Sequence, residues 1–242
     1  MRSTAMIDQP SGRTDAKKSM LVWVAKVIGF VLLAGASLFV SYGGFDWPRA
    51  WVYMGVAVAC QTVAGVILVS VSPGVILERA DASTAVKAWD KVIVGLINSL
   101  GTVGIWVVAG LDERFQWTRT LPQAVPIIGL TFLALGWCVF YWAMASNRFF
   151  SGLVRIQEDR GHTVATSGPY RYVRHPGYVG FITFSLAIPL ALGSLWALVP
   201  AGLIFVLVLI RTALEDKALH DELGGYREYA ERVRYRLLPG IW

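Results

Sequence analysis

In 242 residues the chain is 55% hydrophobic and only 16% charged, where soluble domains carry about 25% charged residues. Its apolar residues come in runs of membrane-spanning length rather than at a strand or helix period, which excludes an ordinary soluble domain. The net charge of +6 is spread over short segments between those runs, which argues against nucleic acid as a partner and for the loops of a membrane protein.

Residues 1–19 read as a polar N-terminal tail. Met20–Tyr42 is the first expected span. Lys17 and Lys18 precede it and Ala34-Gly35-Ala36 resembles a cleavage site, but the run continues through Val40, too long for a signal peptide. Asp46-Trp47-Pro48 predicts a tight turn into a second span, Arg49–Ser72, with Trp47 and Trp51 at interfacial depth. A third span, about Val92–Leu111, carries Gly95, Gly101 and Gly104, small residues that let backbones approach in lipid, and Asn98, expected to bond between helices. Ala124–Ser146 is the fourth, closing a four-span region over 20–146. Cys60 and Cys138 sit inside apolar runs, where small packed residues are expected, and match no metal or disulfide spacing.

The last apolar stretch, Tyr178–Ile210, is split by Gly193-Ser194 with Pro189 and Pro200 on either side. Each half is short for a bilayer core of about 30 Å, so a tight helical hairpin is predicted. An amphipathic tail helix (Leu214, Ala218, Leu219, Leu223) should follow, broken at Gly224-Gly225, then a shorter one with Tyr226 and Tyr229. Segments 1–19, 73–91, 147–177 and 211–242 hold nearly all the Lys and Arg, while the alternate loops hold only Arg49, Arg114 and Arg119. The positive-inside bias predicts an all-α, polytopic helix bundle with about six membrane segments, cytoplasmic termini and a cytoplasmic site. The catalytic region would be 147–242.

Two segments carry candidate chemistry. In Ser167-Gly168-Pro169-Tyr170…Arg174-His175-Pro176-Gly177-Tyr178, the Ser-Gly-Pro is turn chemistry and Pro176 suits the first turn of a helix, with His175 near its N-cap. A helix N-terminus flanked by Arg171 and Arg174 can receive an anion; the same residues also serve as plain positive-inside determinants. Arg211 and Glu215 share one helix face where the last span leaves the membrane. They either form a weak ion pair or supply both signs to a ligand at membrane depth.

The stretch His162…Gly168-Pro169-Tyr170…Arg174-His175-Pro176-Gly177-Tyr178-Val179-Gly180, followed by Arg211…Glu215-Asp216…Leu219…Gly225…Tyr229…Val233, resembles the isoprenylcysteine carboxyl methyltransferase family. Membrane phospholipid methyltransferases share its Arg-His-Pro and paired-acid features. The resemblance covers roughly residues 155–236. It implies methyl transfer from S-adenosylmethionine bound at the cytoplasmic face without a Rossmann domain. By analogy Gln157, His162, Thr163, Val164, Ala165, Tyr170, His175, Pro176, Gly177, Tyr178 and Glu215 would line the cofactor pocket, and Arg211 would face a membrane-associated acceptor. The family usually has two glutamates where this chain has Glu215-Asp216, which leaves the second acid without an assigned role. No metal is implied.

The acceptor could be a prenylated cysteine carboxylate, another lipophilic carboxylate, a phospholipid headgroup or a small thiol. A transporter, the rival of a different class, would place acids in mid-span, where the polar residues include Gln61, Thr62, Asn98 and Thr102 but no acid.

Overall fold

The computed structural model describes residues 11–71, 75–76, 86–119 and 121–242; most of the predicted N-terminal tail and of the basic segment 73–91 lies outside them. Among the described residues every regular element is helical: α1 (Ser11–Tyr42), α2 (Pro48–Val71), α3 (Ala88–Leu96), α4 (Gly104–Phe115), α5 (Ala124–Ala145), α6 (Pro176–Leu192), α7 (Leu198–Glu222) and α8 (Tyr226–Arg232). A π turn, Ile97–Val103, joins α3 to α4 in one rod. Five stretches are long and apolar enough to cross a membrane: Lys17–Tyr42, Pro48–Val71, Ala88–Phe115, Ala124–Ala145 and Leu198–Glu222.

The distribution of side-chain size identifies the solvent of this bundle. Large aliphatic residues such as Leu32, Val40, Val66, Ile127 and Val199 are exposed, whereas Ala34, Ala57, Ala109, Ala143 and Ala191 are buried. That inverted pattern is what lipid selects, because close backbone approach rather than water drives helix association there. The chain is an integral membrane protein.

α5 and α6 show how closely the helices approach. A Cβ on Gly136 would stand 2.6 Å from Phe184 N, one on Gly180 2.5 Å from Phe140 N, and one on Gly129 2.3 Å from Ala191 N. Of the third-span glycines, Gly101 admits Ile204 and Gly104 meets Pro200 of α7, while Gly95 faces open space.

Several expectations change. α1 starts at Ser11, inside the segment read as a tail. The third span runs Ala88–Phe115 and so takes in Asp90 and Asp112 at its two ends, both buried. Asn98 is exposed rather than bonded between helices, Cys60 is half-buried and Cys138 exposed. Trp47 is buried while Trp51 is exposed.

The hairpin is asymmetric. α6 has 17 residues, about 26 Å at 1.5 Å per residue, but α7 runs 25 residues without a break. Residues 211–222 are mostly good helix formers, so the apolar arm and the predicted tail helix are one rod. It stops at Glu222, where Leu223 turns extended, and Gly225, φ 79°, opens α8 in a conformation glycine adopts without strain. Gly193, φ 77°, is the left-handed C-cap of α6.

Candidate active site

α6 begins at Pro176, with His175 at the N-cap in a non-helical conformation. The strand-like path into it is held by the C-terminal segment: Arg174 N donates to Tyr235 O and His175 N to Arg236 O, each at 2.9 Å. Tyr178 N and Val179 N turn onto His175 O at 3.0 and 3.3 Å, so the helix start spends these two first-turn donors internally. Ser-Gly-Pro forms a short 3-10 turn, Gly168–Arg171. Gly168 adopts φ 57°, and a Cβ there would stand 2.3 Å from Ser146 Oγ.

Between this segment, the 147–165 loop and α7 opens a cleft of about 110 Å³. His162, Thr163, Val164, Ala165, Tyr170, His175, Gly177, Tyr178, Arg211 and Glu215 all line it. Gln157 and Pro176 are not among its lining residues. Gln157 is fully buried and braces the loop, donating from Nε2 to Phe149 O at 2.8 Å and accepting from Arg160 Nη1 at 2.6 Å. Its backbone N–H donates to His162 Nδ1 at 3.3 Å.

That bond makes His162 Nδ1 an acceptor, so the neutral ring carries its proton on Nε2. Burial lowers the His162 pKa to about 4, with the charges of Arg155 and Arg160 adding to the effect. The ring packs against Phe149, centroids 4.6 Å apart.

Across the cleft, Tyr178 OH donates to Glu215 Oε2, the Tyr178 ring stacks on His175 at 5.7 Å and 12°, and the Arg211 guanidinium lies 5.3 Å from the Tyr178 centroid. Arg211 and Glu215 are not each other's partners. Arg211 donates from Nε and Nη2 to Asp90 at 2.7 and 3.0 Å, and from Nη2 to Gly152 O at 2.8 Å.

Asp216, the acid without an assigned role, sits in a buried cluster. Its Oδ1 accepts from Arg174 Nε at 2.8 Å and Tyr226 OH at 2.8 Å, with His175 Nε2 at 3.2 Å. Its Oδ2 accepts from Arg174 Nη2 at 3.0 Å and Arg236 Nε at 2.8 Å. Arg174, expected to reinforce an anion site, is committed to this cluster and to the Val233 and Arg234 carbonyls. Burial and the Asp216 charge raise the Tyr226 phenol well above its ordinary pKa, which keeps it a donor. α8 closes the cleft from outside: Tyr229 OH donates to Tyr170 O at 2.7 Å, and Tyr226 and Tyr229 pack with Leu223 against Val164 and Leu219.

Sequence reasoning did not single out Asp90, Tyr226 or Arg236 as site-shaping residues. Asp90, an acid at the head of an apolar run, carried the only local signal. A second cavity of about 350 Å³ lies within the bundle among Trp23, Lys26, Gln61, Trp137 and Phe140. Phe140 meets Phe150, which lines the cleft, edge-on at 5.5 Å.

The chain is similar to known proteins over the part that forms this cleft. A model of the isoprenylcysteine carboxyl methyltransferase family matches residues 128–221. A protein-S-isoprenylcysteine O-methyltransferase of Schizosaccharomyces pombe is 34% identical over 111 residues, 43% of this chain and 45% of that protein. Protein-S-isoprenylcysteine O-methyltransferase B of Arabidopsis thaliana is 32% identical over 108 residues, 43% of this chain and 55% of its own length. A delta(14)-sterol reductase of Mus musculus is 28% identical over 155 residues, 54% of this chain and 35% of that one. The chain thus spans about half the length of the curated relatives it matches. Over residues 128–221, which hold the lining from His162 to Tyr178 together with Arg211 and Glu215, this chain is similar to the isoprenylcysteine carboxyl methyltransferase family.

Proposed function

We propose that this protein is an integral membrane methyltransferase. It moves a methyl group from S-adenosylmethionine to the carboxylate of a lipophilic, membrane-associated acceptor of the isoprenylcysteine kind. The observation that carries the reading is the meeting of Tyr178 with Glu215, and of Arg211 with the Tyr178 ring, in one cleft at the edge of the bundle.

The lining suits the cofactor. Glu215 gives a carboxylate for an ammonium or a sugar hydroxyl, His162 Nε2 gives a donor, and Phe149, Tyr170 and Tyr178 give aromatic surface. His162, Thr163, Val164, Ala165, Tyr170, His175, Gly177, Tyr178 and Glu215 would hold it. Gln157 and Pro176 would act from behind, the first by fixing His162 and the second by starting α6. When bound, S-adenosylmethionine supplies a methyl group already activated by its sulfonium.

A carboxylate acceptor is therefore nucleophilic as it stands and requires no base. Arg211 orients it; desolvation and orientation provide the rate, and good orientation alone can be worth about 7–11 kcal/mol. The aromatic cavity beyond Phe140 offers room for an apolar chain. The basic bias of 147–177 and 211–242 supports a cleft on the cytoplasmic side.

The test is mass spectrometry of lipid and small-molecule extracts incubated with purified protein and methyl-labelled cofactor. The expected product is a labelled methyl ester. Label on a headgroup amine or a thioether would move the acceptor to another class, and absence of label would refute the activity.

A further inference from the structure

Asp90 stands in the first turn of α3, outside the matched region, and is fully buried. Besides the two bonds from Arg211, its Oδ2 accepts from Val154 N at 2.6 Å. Val154 O in turn accepts from Lys87 N at 3.2 Å. The start of α3 thus holds both polar groups of one residue in the cleft-lining loop, together with one edge of the Arg211 guanidinium. A guanidinium has five N–H donors. The Nε donor and both Nη2 donors are directed at Asp90 and Gly152. Among the described hydrogen bonds none uses Nη1. Of the two edges that can grip a carboxylate by both oxygens, Nε/Nη2 is closed by a carboxylate of the chain itself, and the Gly152 carbonyl takes the Nη2 hydrogen of the other.

We infer that Asp90 is a positioning residue that decides how the acceptor carboxylate is held, an inference resting on the proposed methyl transfer. With Asp90 on its Nε/Nη2 edge, Arg211 meets the acceptor through Nη1 and engages one oxygen. The other oxygen keeps its lone pairs for attack. That oxygen forms the new bond to the methyl carbon as the carbon–sulfur bond breaks with its electron pair remaining on sulfur. Carboxylate and sulfonium charges cancel to a neutral ester and a neutral thioether, and no proton moves. Without Asp90 the fork would clasp both oxygens, a tighter ground state in which both oxygens are less nucleophilic.

The test is a calorimetric titration in detergent, without cofactor, of wild type and Asp90→Asn. The probes are N-acetyl-S-farnesylcysteine and its carboxamide. The variant should bind the carboxylate at least about fivefold more tightly and the carboxamide unchanged, with cofactor affinity within about twofold as the check on folding. In turnover, kcat should fall about tenfold or more while the acceptor KM also falls; simple loosening of the loop would raise KM. Unchanged carboxylate affinity, or a gain shared by the carboxamide, overturns the inference. If wild type transfers no methyl but the variant still gains carboxylate affinity, the proposed reaction fails while the control of Arg211 by Asp90 stands. Should Asp90→Asn not fold, Asp90→Glu keeps the charge but displaces the guanidinium. Its kcat should drop about tenfold with carboxylate affinity within about threefold of wild type, and a wild-type kcat overturns the inference.

Discussion

Asp216 receives the Arg174 guanidinium edge-on, at 2.8 and 3.0 Å, with both side chains buried. This pair fastens the Arg-His-Pro segment to α7, and Arg236 brings the C-terminal residues onto the same carboxylate. Breaking a buried pair by removing one partner leaves an uncompensated charge and costs about 3–5 kcal/mol. Asp216→Asn should therefore lower the unfolding temperature in detergent strongly. Glu222→Gln, which breaks the exposed pair with Lys87, should change stability by about 1 kcal/mol or less. Equal shifts in the two variants would mean that Asp216 is not the fastening point.

Glu215 and Arg211 lie one turn apart on α7 and have different partners, Tyr178 and Asp90. Glu215→Gln should weaken S-adenosylmethionine binding about tenfold by calorimetry, the size expected when a charge-assisted bond is lost. Arg211→Lys should leave that affinity near wild type and lower turnover, since lysine has no planar fork. Loss of cofactor binding in Arg211→Lys with the fold intact would reassign Arg211 to the cofactor.

The close contact of α5 with α6 makes a packing prediction. Gly180→Ala would put a methyl 2.5 Å from Phe140 N and 2.6 Å from Gly136 O, backbone atoms that cannot rotate away. Overpacking of this kind costs about 1–3 kcal/mol or more. Gly202→Ala, on a helix position with nothing within 4 Å, should be neutral or slightly stabilising. Thermal unfolding in detergent compares them, and a tolerated Gly180→Ala would contradict the observed contact.

His162 predicts a pH dependence. Its folded pKa of about 4 lies below the ordinary 6.5, so the unfolded chain binds the proton more readily. Its contribution to stability is complete above about pH 6.5 and is lost as the pH falls toward 4. His162→Gln should flatten the stability profile in that window. An unchanged slope would show that the ring is not held neutral.

How far the sequence foretold this site follows from the range of each interaction. The start of α6 at Pro176, the breaks at Gly193 and Gly225, and the shared face of Arg211 and Glu215 depend on neighbouring residues. All were legible. The asymmetry of the hairpin was not, because Arg211 marks where the unbroken apolar run ends and not where the helix ends. The partner of Arg211 was hidden for another reason. Asp90 is 121 residues away, and nothing local selects it over Glu215. Only the packing of α3 beside α7 brings it there. The role of Asp216 was likewise invisible, since its partners come from the Arg-His-Pro segment, α8 and the C-terminal residues.

The central claim is methyl transfer to a carboxylate. Its most direct measurement incubates the purified protein with methyl-labelled S-adenosylmethionine and N-acetyl-S-farnesylcysteine, then treats the product with alkali. Label in the organic extract should be released by alkali as methanol, because a methyl ester hydrolyses under base. Label that stays in the organic phase after alkali, or no label above a Glu215→Gln control, would contradict it.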